Sequence, residues 1–206
     1  MPNYEHHIFL SYRRSDQDWI RWTRENLARA LRSLLRPSIG EVSLYMDEMI
    51  ETGAPWPLHL ALNHARSKLM VAVLSRDYFH SDWCRLELAL MHNREQITGF
   101  RTAANPFGLI VPLIIDDGKH FPPEVQAMQS REIHEFANPF IRKDSPKQEA
   151  LADFLRAHVC PSIESMLERV PDYDPNWERI AHAQFQEVFR IKVERQVTVP
   201  VLTLPK

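Results

Sequence analysis

A chain of 206 residues, 44% of them hydrophobic, is long enough for one sizeable domain with an appendage and short for two. Its 25 Lys and Arg against 27 Asp and Glu give a net charge of −2, which leaves no basic footprint for nucleic acid or an anionic membrane surface. No apolar run approaches the ~18 residues that span a bilayer, and residues 1–7 (MPNYEHH) lack the basic and apolar regions of a secretory signal.

The two cysteines, Cys84 and Cys160, make no disulfide framework, so the expected setting is a reducing cytoplasm. The five glycines build neither G-x-G-x-x-G nor G-x-x-x-x-G-K, which removes the main support for dinucleotide oxidoreductases and P-loop enzymes. Ten histidines occur without an H-E-x-x-H or paired C-x-x-C. His80 and Cys84 stand four apart, but no further ligands follow at a suitable spacing, so neither metal nor cofactor is expected.

In chain order, residues 7–12 (HIFLSY) read as a short buried strand. Asp16 then caps a helix from Gln17 to Leu35, with Pro37 as its stop. Residues 42–46 form a second strand that closes on Asp47, and residues 48–57, with Gly53, Pro55, Trp56 and Pro57, form a loop. A helix over 58–66 leads to the run Leu69–Leu74, apolar without alternation, as in a strand covered on both faces. Ser75 to Asp82 is a polar loop, and Ser81 or Asp82 caps the next helix. Residues 107–115 give a fourth strand and 131–136 a weak fifth at an edge. A helix over 147–167 follows, which Pro161 should kink or divide.

Strands alternating with helices predict an α/β fold, a flavodoxin-like doubly wound sheet of five parallel strands. This domain is expected over residues 1–169, with 170–206 as an extension: a linker, a helix over 177–189 and a half-buried strand over 190–204. A lone terminal strand must pair with something: the domain's own sheet, a neighbouring subunit or a further domain.

In the strand order 2-1-3-4-5, strands one and three flank the crevice where open α/β sheets bind ligands. The loops around it should bring together Tyr12, Arg13, Arg14, Asp47, Trp56, Trp83 and Glu87. Trp83 and Glu87 are four residues apart and share one helix face. Arginines suit phosphates, aromatics suit bases, and a carboxylate suits a sugar. Taken alone, Glu87 also reads as a solvated helix carboxylate of little weight in stability, Trp83 as a helix-to-core anchor, Asp47 as a turn residue and Cys84 as a packing residue. A response-regulator receiver shares the strand order but needs an acidic pair after strand one and an aspartate after strand three; Ser11-Tyr12-Arg13 and Ser75 stand there.

Three segments, in order, resemble the signature boxes of Toll/interleukin-1 receptor (TIR) domains: residues 9–16 (FLSYRRSD, in a form common in bacteria), Tyr45-Met-Asp-Glu48 with Gly53-Ala-Pro-Trp56, and residues 74–88 (LSRDYFHSDWCRLEL) with a W-x-x-x-E motif. The resemblance covers about residues 6–168 and leaves the tail out. It implies the TIR fold and an enzyme that cleaves the nicotinamide–ribose bond of NAD+, its substrate, giving nicotinamide and ADP-ribose or a cyclic isomer. Glu87 falls on the family's catalytic glutamate, while Ser11, Tyr12, Arg13, Asp47, Trp56 and Trp83 are the substrate-binding candidates. Antiphage immunity, activation by TIR–TIR self-association and a partner defence protein are further implications. The competing reading is a non-catalytic adaptor working through TIR–TIR contacts; Glu87 inside an intact W-x-x-x-E weighs against it.

Overall fold

The computed structural model describes residues 3–14, 17–47, 56–141 and 145–197; of Trp56 and residues 191–197 only the backbone is described. Strands β1 (His6–Tyr12), β2 (Leu44–Met46), β3 (Ser67–Leu74), β4 (Ile110–Ile114) and β5 (Arg131–Glu132) form one sheet in the order β2-β1-β3-β4-β5. Every pairing is parallel.

The unbroken apolar run of β3 follows from its place in the middle of that sheet. Leu69, Val71 and Val73 belong to one hydrophobic cluster, and Met70, Ala72 and Leu74 to the other. Side chains alternate across a strand, so a strand covered on both sides must be apolar at every position.

One face is covered by α1 (Gln17–Trp22), a π-helical turn (Thr23–Ala28) and α2 (Arg29–Ile39), together with α6 (Pro146–Phe154), a second π-helical turn (Leu155–Val159) and α7 (Cys160–Leu167). The other carries α3 (Trp56–Ala65), α4 (Asp82–Ile97), the short α5 (Pro123–Gln126) and α8 (Asn176–Val197).

Several boundaries differ from expectation. Pro37 lies inside α2, and the helix stops at Gly40, whose φ of 76° needs no Cβ to be accommodated. A proline so near the end forfeits only one backbone bond, and buried Leu31 and Leu35 hold the last turns down. Trp56 opens α3 instead of lying in a loop; Pro57 is tolerated because first-turn N–H groups have no partner within the helix. The second, fourth and fifth strands are each shorter than read, β5 being two residues long because Ile133 turns into the core. Pro161 divides the last domain helix as expected: the Cys160 N–H reaches back to the Leu155 carbonyl, a π-type bond, just before the proline. Asp16 lies outside the described residues.

The largest correction is in the tail. Residues 190–197 continue α8 and form no strand. Ile191, Val193 and Val197 alternate, but Arg, Lys, Glu and Gln between them are good helix formers, and extending an existing helix avoids the nucleation cost. Residues 198–206 lie outside the described set. Trp177, Ala181 and Phe185 of α8 are buried in the same cluster as Phe9, Leu60 and Met91.

Candidate active site

The crevice at the carboxyl ends of β1 and β3 is where the strand order reverses, β2 lying to one side and β4 to the other. A cleft of about 220 Å³ opens there, lined by Tyr12, Arg13, Arg14, Asp47, Trp83 and Glu87 among others. A larger hollow of about 370 Å³ lies beside the start of β4 and α7; no carboxylate lines it, and it is at the wrong end of the strands.

Glu87 is positioned by a short chain of local causes. Ser81 accepts a hydrogen bond from the Cys84 N–H (3.3 Å), which caps α4 and fixes the phase of the helix. Glu87, one turn after Trp83, then faces the end of β1 and is only 6% exposed. Ser11 Oγ lies 2.5 Å from Glu87 Oε2, and the Tyr78 hydroxyl 2.7 Å from the same Oγ. Burial pushes the Glu87 carboxyl up from its ordinary 4.5 to about 8; the Asp47 charge adds to this, while the Ser11 hydrogen bond and Arg14 oppose it.

The mouth is cationic. Arg14 pairs with Asp47 at 2.8 Å, and the Tyr12 hydroxyl donates to the Asp47 carbonyl at 3.1 Å. Arg13 Nε is buried with no hydrogen-bond partner among the described residues, a donor that an anionic ligand would satisfy. Cys84 is buried beneath the cleft and its thiol is pushed up to about 12, by burial first and Glu87 second, which makes it a packing group and no nucleophile.

Trp83 lines the cleft with one face while its ring stacks on Phe185 of α8, centroids 5.9 Å apart at 13°. It is thus both anchor and wall. His64, on α3, is buried and bonds the Glu87 carbonyl through Nε2 at 2.9 Å. A carbonyl partner places the proton on Nε2. Burial, then the charge of Arg94, lowers its pKa from 6.5 to about 3, so the ring is neutral. Arg94 itself is buried, donating to the carbonyls of Ser67 (2.8 Å) and Ala65 (3.0 Å) beneath the ring of Trp177.

The structure therefore brings Tyr12, Arg13, Asp47, Trp83 and Glu87 to one cleft, with Ser11 directly behind the carboxyl. The side chain of Trp56 lies outside the described residues. Sequence reasoning missed Tyr78, His64 and Phe185. Tyr78 stood within a quoted motif, but nothing local marks its hydroxyl as aimed at strand one. Among the described residues no group of three or more His, Cys, Asp or Glu could hold a metal, and no helix is long and apolar enough to cross a membrane.

A doubly wound parallel sheet with a carboxylate at its switch point defines the structural class. The family model of the TIR domain matches residues 8–143, and the chain belongs to that family. A comparison with curated proteins finds no match. Among solved structures, the chain is similar to the TIR domain of the Toll-related receptor TRR-2 from Hydra magnipapillata, with 14% identity over 63% of this chain and 86% of that one, at a TM-score of 0.45. It is also similar to the TIR domains of the activated Roq1 resistosome that directly recognises the pathogen effector XopQ, with 18% identity over 90% and 99% of the two chains and a TM-score of 0.36.

Proposed function

We propose that this TIR protein cleaves the nicotinamide–ribose bond of NAD+, with Glu87 as the catalytic carboxylate. The observation that carries the reading is a buried carboxyl at the floor of a cleft whose mouth bears Arg13 and Arg14. A cleft of about 220 Å³ is smaller than the ~300–1,000 Å³ of pockets for drug-sized ligands, and suits one end of a dinucleotide. The nicotinamide riboside would enter it and the pyrophosphate would meet the guanidinium groups of Arg13 and Arg14 that line it.

The chemistry asks little of the protein. Nicotinamide is bound to ribose as a cation, so it leaves as a neutral base, carrying the electron pair of the broken C–N bond, without a general acid. What develops is an oxocarbenium ion at the ribose. An ionised Glu87, held off water, stabilises that charge electrostatically. Water captures the cation to give ADP-ribose and a proton; capture by a nucleophile of the same molecule gives a cyclic isomer. The substrate's own positive charge favours the ionised carboxyl once bound.

Family membership also supports a wider reading: a cytoplasmic defence protein against phage, activated by TIR–TIR self-association and working with a partner defence protein. Cys84 and Cys160 are both buried free thiols, in keeping with a reducing compartment.

The test is nicotinamide release from NAD+ at high protein concentration, with products separated by chromatography, for the wild type and Glu87→Gln. Release by the wild type alone supports the enzyme, and the second product assigns hydrolase or cyclase. Equal release by both proteins overturns it. No release even after forced clustering favours the adaptor.

A further inference from the structure

We propose that Tyr78 is a positioning residue for this reaction: through Ser11 its hydroxyl fixes the Glu87 carboxyl, completing a hydrogen-bonded chain that closes only when Glu87 is protonated. The inference rests on the reading of Glu87 as the reacting carboxylate.

The geometry is a line of oxygens. Glu87 Oε2 lies 2.5 Å from Ser11 Oγ, Ser11 Oγ 2.7 Å from Tyr78 Oη, and Tyr78 Oη 3.0 Å from the Cys84 carbonyl oxygen. Ser11 is 1% exposed and Tyr78 fully buried, so water supplies no missing partner. The chain ends on a carbonyl, which only accepts. Three contacts need three hydrogens. Ser11 and Tyr78 bring one each, and among the described residues the third comes from the carboxyl. With Glu87 protonated, every link is made: carboxyl to Ser11, Ser11 to Tyr78, Tyr78 to the carbonyl. With Glu87 ionised, Ser11 turns to donate to the carboxylate, and Tyr78 must leave either Ser11 or the carbonyl without a hydrogen between close oxygens.

Tyr78 is well fixed for this role. It sits in the 3-10 turn Arg76–His80, whose Ser75 cap accepts from the Tyr78 N–H at 3.2 Å, and its ring packs edge-on against Phe79. Among the described residues, the other ionisable groups near Glu87 are engaged elsewhere. Arg14 is committed to Asp47, and the His64 Nε2 proton goes to the backbone carbonyl of Glu87. Cys84 donates to the Tyr12 carbonyl at 3.6 Å. Tyr45 beyond them, like Tyr78, has its phenol pKa raised, chiefly by burial, and stays neutral. Before substrate enters, the site therefore rests as a neutral acid. A cationic nicotinamide ring entering the cleft repels the carboxyl proton, which leaves to solvent while Ser11 swings onto the carboxylate.

The experiment is a ¹³C NMR titration of the Glu87 side-chain carboxyl in ligand-free protein, its resonance identified by its loss in Glu87→Gln. The wild type should titrate well above the ordinary carboxyl range. Tyr78→Phe removes the acceptor that Ser11 needs in the protonated chain, so its midpoint should fall by about half to one pH unit. Ser11→Ala removes the acceptor of the carboxyl proton and the donor to the carboxylate; the second bond is charge-assisted and the stronger, so the midpoint should move the opposite way. An unchanged midpoint in Tyr78→Phe, or shifts of the same sign in both variants, overturns the proposal. The acid limb of nicotinamide release should follow the Tyr78→Phe shift. If no NAD+ is turned over, the activity reading fails while the titration still decides the chain.

Discussion

The two faces of the sheet are built to different rules. The face under α1, α2, α6 and α7 is an apolar jigsaw of Ile8, Leu10, Leu31, Leu35, Val71, Leu155 and their neighbours. The face under α3, α4 and α8 buries Ser11, His64, Ser67, Glu87, Arg94 and Glu95 among its hydrophobic side chains. One face supplies folding energy chiefly by apolar burial, Thr23 being a buried polar residue of its π-helical turn. The other accepts desolvation costs to hold polar groups in fixed positions, which is how an ionisable site is tuned.

The contrast can be broken from either side. The largest stability effect is expected for Arg94→Ala, which strips donors from the carbonyls of Ser67 and Ala65 and a cation from Trp177. Chemical denaturation should show a loss of about 3–5 kcal/mol. Leu31→Ala, on the apolar face, should cost about 3 kcal/mol by leaving a cavity, yet nicotinamide release per folded molecule should not change. A Leu31→Ala protein that folds but has lost turnover would erase the distinction between the faces.

Next in size is a pair of opposed pH effects. The folded protein keeps the Glu87 proton up to about pH 8, whereas the unfolded chain releases it near 4.5; unfolding free energy therefore falls as pH rises through that window. His64 works the other way. It stays neutral when folded, down to about pH 3, but takes a proton near 6.5 when unfolded, so stability is lost as pH falls below 6.5. Each contributes roughly 2 kcal/mol between pH 7 and 5 with opposite sign, and the wild type should be nearly level there. Denaturation of His64→Gln should show stability rising as pH falls from 7 to 5, and Glu87→Gln should show the reverse. The smallest effect is expected for Phe185→Leu: about 1 kcal/mol, with nicotinamide release reduced because Trp83 loses its stacking partner.

What the sequence made legible was what local pattern and topology determine. The run Leu69–Leu74 announced a doubly covered strand, Ser81 or Asp82 announced the helix that carries Glu87, and the strand order placed Tyr12, Arg13, Asp47 and Trp83 around it. What it hid depends on contacts between distant segments. Glu87 reads locally as a solvated carboxylate of little consequence for stability; only the packing of α4 against Ser11 and Tyr78 makes it buried. Phe185 meets Trp83 across about a hundred residues of chain, with no periodicity linking them. Ile191, Val193 and Val197 repeat at the even spacing of a strand, but the helix formers between them favour helix, and α8 continues to Val197.

The most direct test measures thermal unfolding and nicotinamide release on the same samples of wild type and Glu87→Gln at pH 8. At that pH the burial of an ionising carboxyl costs up to about 4 kcal/mol, so Glu87→Gln should melt a few degrees higher while releasing no nicotinamide. Retained release, or a loss of release accompanied by a lower melting temperature, would contradict the account, because Glu87 would then be either dispensable or merely structural.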